Sequence, residues 1–258
     1  MFNRFSGSFR AGQRPFVART ISTTALQVWY NADKSNTTNF NVAPANGADI
    51  SQWKDISGTG HNMNQSGNNS VKPQWYSNVL NGLGVLRFND IGQGTTESLN
   101  INPITWMRSL SGFTLFVIAK ARTTGTPQVV TTTDTSGFKI AHDGTYWSVT
   151  ASNGTLNTTA QVDTSKFDIL TFVFDGSASG NSGRLRFRHN REWESGTYVG
   201  TVGTSTSSVS NYFYMGVNET NNGGYFQGDI AEVLMFTRTL TQSELENVEN
   251  YITEHWGI

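Results

Sequence analysis

Cysteine is absent from this 258-residue chain, which excludes disulfides and thiolate chemistry and leaves packing alone to hold the fold. Charge is scarce too, at 14% of residues. The surface is therefore drawn from Asn, Ser, Thr and Gly, a composition suited to β-turns and hydrogen-bonding loops. No apolar run reaches the roughly 18 residues a membrane helix needs. Residues 1–20 lack the continuous apolar core of a secretory leader, so none is expected. The four histidines at 61, 142, 189 and 255 show no metal-ligand spacing. Phosphate-binding glycine loops followed by Lys-Ser/Thr and acidic calcium loops of the EF-hand kind are missing as well. Gly176–Gly180 has the outline of a nucleophile elbow, but Ala178 stands where serine is required.

What is present reads as strand and turn. Leu26–Tyr30 is a first strand and Asn81–Phe88 supplies a turn and another. Phe113–Ala121 carries apolar residues on both alternating faces, which predicts a central strand covered on both sides. Phe138–Ala141 and Tyr146–Ala151 flank His-Asp-Gly-Thr as a hairpin. In Arg184–Arg188 the alternation puts Leu185 and Phe187 inward and the arginines toward water. The pattern adds up to about a dozen short strands, an antiparallel sandwich, with no internal repeat and no linker within the body. The length suits one such domain over residues 25–258, burying roughly 70–75% of the unfolded surface.

Two segments depart from that pattern. Near the C-terminus, Thr241 and Glu244 form a capping box, with Leu240 and Leu245 placed as a hydrophobic staple. Leu245, Val248, Ile252 and Trp256 then share one face of a short amphipathic helix that must dock on the β-structure. At the other end, residues 1–24 read as an extended arm. Phe2, Phe5, Phe9 and Phe16 are too sparse for a core, and Arg4, Arg10, Arg14 and Arg19 meet no acid before residue 20. The remainder holds 14 basic and 19 acidic residues, so a cationic arm precedes a mildly acidic body.

Several phrases together resemble the laminin-G-like branch of the concanavalin A-like lectin/glucanase jelly rolls. They are Trp53-Lys-Asp55-Ile-Ser57-Gly58, Asn81-Gly82 ahead of Val85–Phe88, Phe113–Lys120, Tyr225–Val233, and the ending from Leu240 to Gly257. The resemblance covers about residues 25–258 and leaves the arm outside. It implies two curved antiparallel sheets of six or seven strands. It also implies carbohydrate or protein recognition in many relatives, glycan cleavage in a few, and calcium in some, so calcium is the one cofactor kept open here. Fold alone does not choose among these. Trp53 is expected beneath a loop, with Asp55 accepting hydrogen bonds from Ser57 and nearby amides; a metal or ligand role for Asp55 stays open. Glu232, inside an apolar strand, is expected to be a hydrogen-bonded structural carboxylate.

Glycosidases use two carboxylates, placed on this fold at alternating positions of one strand. Acids two apart occur at Glu192/Glu194, around Trp193, and at Glu244/Glu246, at the helix start where that spacing splits the faces. Neither forms the expected cluster, so no enzyme is expected and no catalytic residue is named. Binding is better supplied. Tyr146, Trp147, Trp193 and Tyr225 lie near turns, where rings stack on sugars, although alternation buries one of Tyr146 and Trp147. The reading reached from sequence is a virion structural protein, a bacteriophage capsid decoration or appendage held in many copies to capsid or tail proteins by the arm and touching cell-surface glycans. A free carbohydrate-binding module is the alternative and a glycoside hydrolase ranks third. Nucleic acid and membrane are not expected partners.

Overall fold

The computed structural model describes residues 21–65, 67, 69–89, 97–133, 137–218 and 224–258. The arm residues Phe2, Arg4, Phe5, Phe9, Arg10, Arg14, Phe16 and Arg19 lie outside them. In chain order the strands begin with β1 (Leu26–Asn31), β2 (Ala48–Asp49), β3 (Gln52–Trp53), β4 (Met63–Asn64), β5 (Gln74–Leu80) and β6 (Leu83–Phe88). Then come β7 (Leu99–Ile101), β8 (Gly112–Ala121), β9 (Gln128–Thr133), β10 (Phe138–His142), β11 (Tyr146–Ala151) and β12 (Gly154–Gln161). The last six are β13 (Asp168–Asp175), β14 (Leu185–His189), β15 (Glu192–Trp193), β16 (Gly196–Val199), β17 (Phe213–Met215) and β18 (Gly228–Phe236). A one-turn helix α1 (Gly180–Arg184) precedes β14, and α2 (Gln242–Trp256) closes the fold.

The strands form two antiparallel sheets, each nine-stranded among the described residues. The first runs β15-β14-β13-β8-β18-β6-β5-β2, with β1 also paired to β18. The second runs β16-β12-β11-β10-β9-β17-β7-β4-β3. As the sequence predicts, β8 is central, held by β13 on one side and β18 on the other. The far side of β18 is shared: β6 pairs at Gly228–Ile230, and β1 takes over from Glu232 to Phe236 beyond a β-bulge.

Alternation divides the apolar residues of the first sheet between two layers. Phe113, Phe172, Phe174, Val117, Val233 and Met235 face the second sheet. There Phe113 meets Phe138 and Phe172 at ring-centroid distances of 5.2 and 4.9 Å. Phe116, Ile118, Val173, Leu234 and Phe236 face outward, where Leu245, Val248, Tyr251, Ile252 and Trp256 of α2 cover them. Ile21 joins this outer layer. The molecule is thus layered helix on sheet on sheet, and the outer face of the second sheet carries no helix among the described residues.

At 15 residues α2 would be marginal alone in water. Its capping box forms as predicted: Thr241 Oγ1 accepts from Glu244 N–H at 3.4 Å, and Glu244 Oε2 accepts from Thr241 N–H at 2.9 Å. Asn81 closes the other end, donating to the carbonyls of Trp256 and Gly257 at 2.6 and 3.0 Å. Two buried carboxylates then tie helix to sheet from opposite directions. Glu232 of β18 accepts from Tyr251 Oη at 2.8 Å and Trp256 Nε1 at 2.6 Å on α2, and from Trp29 Nε1 and Asn31 Nδ2 on β1 at 2.6 and 3.0 Å. Glu249 of α2 accepts from Thr171 of β13 at 3.0 Å and stands 3.0 Å from Arg188 Nε of β14. Burial pushes both carboxyls above the ordinary range, against the pull of these partners. The expectation for Glu232 holds, while the one for the arginines of β14 is corrected. Arg188 does not face water; it is buried because α2 brings Glu249 over it.

Candidate binding cleft at the open edge of the sandwich

The β14–β15 hairpin turns through Asn190 and Arg191, both at positive φ (51° and 76°). Its register sets Trp193 directly opposite Arg188. Because Leu185 and Phe187 face the core, Arg186, Arg188 and Trp193 share the outer face. The guanidinium carbons of Arg186 and Arg188 lie 4.9 and 5.0 Å from the indole centroid. Trp193 still exposes 40% of its surface.

After Trp193 the chain leaves the first sheet and, within three residues, enters β16 at the edge of the second. This crossing makes one wall of a cleft of about 440 Å³, lined by Arg186, Trp193, Glu194, Ser195, Tyr198 and Ser182. Gly196 also lines it, and a Cβ there would sit 2.0 Å from the Asn157 carbonyl oxygen, so glycine lets β16 lie flat on β12. Tyr198 Oη donates to the Leu185 carbonyl at 2.8 Å and fastens the two sheet edges together. Glu194 accepts from Thr159 Oγ1 at 3.3 Å and stands 3.9 Å from His189 Nδ1. His189 Nε2 in turn lies 2.9 Å from Asp168, a buried carboxylate at the start of β13. Arg186 differs from Arg188: no carboxylate neutralises it, and its Nε is buried without a hydrogen-bond partner among the described residues.

Chemically, the cleft offers a flat exposed indole, a guanidinium, a carboxylate and small hydroxyls on one wall. An indole face takes the C–H face of a pyranose, and Arg and Glu side chains bridge vicinal hydroxyls. Catalysis by the Glu192/Glu194 pair lacks such support: Glu192 is exposed and Glu194 is tied to Thr159 and His189.

The other three sequence candidates fall elsewhere. Trp147 is fully buried, donating its indole N–H to Asp168 Oδ2 at 3.3 Å and meeting His142 edge-on at 5.3 Å. It is a core residue and is withdrawn from the binding set; the alternation that buries it turns Tyr146 outward, at 39% exposure. Tyr146 shares the outer face of the second sheet with Ser148 and Thr150, which line a groove of about 350 Å³ with Lys139, Thr155 and Asn218. Tyr225 is half-buried and bridges Val129, beside Gly224 on the groove wall. Trp193 and the two tyrosines therefore belong to separate surfaces. Sequence reading missed Arg186, Glu194 and Tyr198 because their meeting depends on the handover between sheets. The available signal was Arg-x-Arg facing Trp across a hairpin.

His142 carries a testable titration. Its Nδ1 accepts from Gly144 N–H at 3.2 Å, its Nε2 is buried without a partner among the described residues, and burial lowers its pKa from 6.5 to about 4. The folded state favours the neutral ring, so this contribution is full above pH 6.5 and is lost as pH falls toward about 4. It amounts to ~3 kcal/mol at most. Glu232 and Glu249, raised by burial, push the other way. Comparison with His142→Gln isolates the term: the wild-type urea midpoint should fall relative to the variant's on acidification through this window. Parallel pH profiles would refute it.

The carboxylate of Asp55 is filled by protein donors. Asp55 accepts from Trp29 N–H, Ser57 N–H and Oγ, Thr59 Oγ1, Gly60 N–H and His61 N–H at 2.7–3.1 Å, which occupies both of its oxygens. The structural expectation for the Trp53–Ser57 loop is met, with Trp53 buried and its indole donating to the Asn31 carbonyl at 3.1 Å. Among the described residues no group of three or more His, Cys, Asp or Glu side chains is placed to hold an ion.

The profile described as the concanavalin A-like lectin/glucanases superfamily matches residues 92–246. The chain belongs to this superfamily. Solved structures share its fold at low identity. Trypanosoma rangeli sialidase in complex with the inhibitor DANA aligns with a TM-score of 0.60 at 13% identity, over 92% of this chain and 34% of the sialidase. The chain thus spans about a third of the length of the sialidases it matches. Domain 4 of AbnA, an extracellular arabinanase from Geobacillus stearothermophilus, in complex with arabinotriose, aligns with a TM-score of 0.56 at 16% identity, over 87% of this chain and 98% of that one. The binding domain of botulinum neurotoxin DC in complex with rat synaptotagmin II gives 0.56 at 11%, over 90% and 52%. These likenesses are of fold alone. No curated protein matches the sequence. No described helix is long and apolar enough to cross a membrane.

Proposed function

We propose that this protein is a non-catalytic glycan-binding module that takes sugar in the Trp193 cleft and is mounted on a virus particle by its N-terminal arm. The observation that carries the sugar reading is the exposed indole of Trp193 beside the un-neutralised Arg186 and Glu194, in a cleft of about 440 Å³. With Arg186 and Arg188 against the ring, 40% of Trp193 remains exposed and open to a stacking partner. A domain of the same fold, aligned over nearly its whole length, was solved with arabinotriose, which favours a saccharide over the protein receptor held by the neurotoxin domain. The mixed charge of the cleft, Arg186 with Glu194, favours hydroxyl-rich over strongly anionic glycans.

The particle reading rests on the arm's composition, four arginines interleaved with phenylalanine and glycine and opposed by no acid. One glycan array and one particle preparation test the two halves. Full-length protein should bind a defined set of neutral glycans. Trp193→Ala should weaken that binding at least ~10-fold, as loss of a stacking platform implies, with an unchanged melting temperature. Retained binding by Trp193→Ala would remove the cleft from the account. Mass spectrometry of purified particles should find the chain in many copies, and deletion of residues 1–20 should abolish its incorporation.

A further inference from the structure

Another cavity lies apart from both the Trp193 cleft and the groove on the second sheet. It lies on the outer face of the first sheet, beside the C-terminal end of α2, and encloses about 570 Å³. Its floor is Leu80, Phe167 and Ile169, side chains of the layer under α2. Lys120, Lys166 and Arg191 stand around it with Ile258, and among the described residues no Asp or Glu side chain lines it.

Most polar groups of the lining are committed to the fold. The Asn81 amide caps the carbonyls of Trp256 and Gly257. Asn190 donates to Asp168 at 2.9 Å and accepts from Ile169 N–H at 2.9 Å. What remains is cationic or unpartnered. Thr253 Oγ1, on α2, is buried with no hydrogen-bond partner among the described residues. Lys120 sits 5.7 Å from the Phe167 ring, opposite Asp229, and that carboxylate is already held by two nitrogens of Arg87 at 2.7 and 3.0 Å. Lys166 reaches Asp163 only at 3.8 Å on the exposed rim.

Arg191 supplies a separate argument. Its φ of 76° is a left-handed conformation where glycine is favoured and arginine is strained. The turn alone would select glycine; among the described residues the Arg191 side chain donates one nitrogen to Asn250 at 2.7 Å and attracts the Glu249 carboxylate of α2. A strained residue whose side chain reaches a cavity points to a task there.

We propose that this cavity binds a small amphipathic anion, a carboxylate on an aliphatic or aromatic body. The tail lies on Leu80, Phe167 and Ile169. The head is held by Lys120, Lys166 and Arg191, with the Thr253 hydroxyl as an added donor. The volume falls in the usual range of small-molecule sites, and an apolar floor under a cationic rim selects this chemistry over a neutral sugar. The protein's own arm is excluded as occupant by charge, since residues 1–20 carry four arginines and no acid.

Calorimetric titration of the full chain with decanoate, and with decanol as the uncharged control, tests this at low ionic strength. Decanoate should bind at least ~10-fold more tightly than decanol, the effect of one charge-assisted contact. Arg191→Gly and Lys120→Gln should each weaken decanoate roughly tenfold while leaving the weak decanol binding in place. The decanol control reports an intact pocket, so a variant that merely unsettles the fold loses both ligands. Equal affinity for decanoate and decanol would overturn the proposal. So would unchanged decanoate binding in both variants, or attachment to phosphatidylglycerol vesicles without any response to free decanoate.

Discussion

Glu232→Ala should lower the free energy of unfolding by about 4 kcal/mol or more, the largest single-residue effect expected in this molecule. Four donors converge on this one carboxylate: two indoles, a phenol and an amide. A carboxylate has only acceptor sites, so it answers all four. Alanine leaves four buried donors facing a cavity, two of them on α2 and two on β1. Each unsatisfied donor costs ~1–3 kcal/mol, with overlap because they share one site. Glu232→Gln should cost less, about 2 kcal/mol. Its oxygen can keep the three donors now on Oε1, while its NH₂ group confronts the Trp256 indole N–H. Urea denaturation gives the order, and the near-ultraviolet circular dichroism of Trp29 and Trp256 should change with it. An alanine variant within ~1 kcal/mol of wild type would mean that α2 is held by its apolar face alone.

How much of this was legible beforehand follows from which interactions are local. The capping box from Thr241 to Glu244, the covered strand Phe113–Ala121 and the hairpin at Asp143-Gly144 are set by neighbours in sequence or by a two-residue period. The superfamily resemblance supplied the architecture, and the structural role assigned to Glu232 followed from a charge inside an apolar strand. The Trp193 cleft was visible only as a tryptophan near a turn. Its other walls come from α1, β14 and β16, and no local period shows that the chain changes sheets between Trp193 and Gly196. Arg188 was misplaced for the same reason. Alternation correctly put it on the outer face, but that face is covered by a helix starting some fifty residues later. The Lys120–Lys166–Arg191 cavity joins five separate stretches of chain, and the positive φ of its lining residues Asn81, Asn190 and Arg191 is a backbone feature that composition cannot show.

The second large effect links stability to the binding cleft. Glu249→Ala should destabilise by ~3–5 kcal/mol, because it leaves the Arg188 guanidinium buried without its countercharge. Replacing both partners by apolar residues, Arg188→Met with Glu249→Leu, should recover most of that loss, as buried ion pairs exchanged for well-packed side chains commonly do. Arg188, however, also lies 5.0 Å from the Trp193 ring centroid and helps hold the indole across the hairpin. The double variant should therefore fold nearly as stably as wild type yet bind glycan several-fold more weakly, through a less ordered Trp193. Thermal denaturation and glycan titration on the same three proteins separate the two roles. If stability and affinity recover together, Arg188 is only the counterion of Glu249, and Arg186 alone orients the tryptophan. If stability returns while affinity does not, the ion pair that docks α2 also shapes the sugar platform on the opposite side of the hairpin.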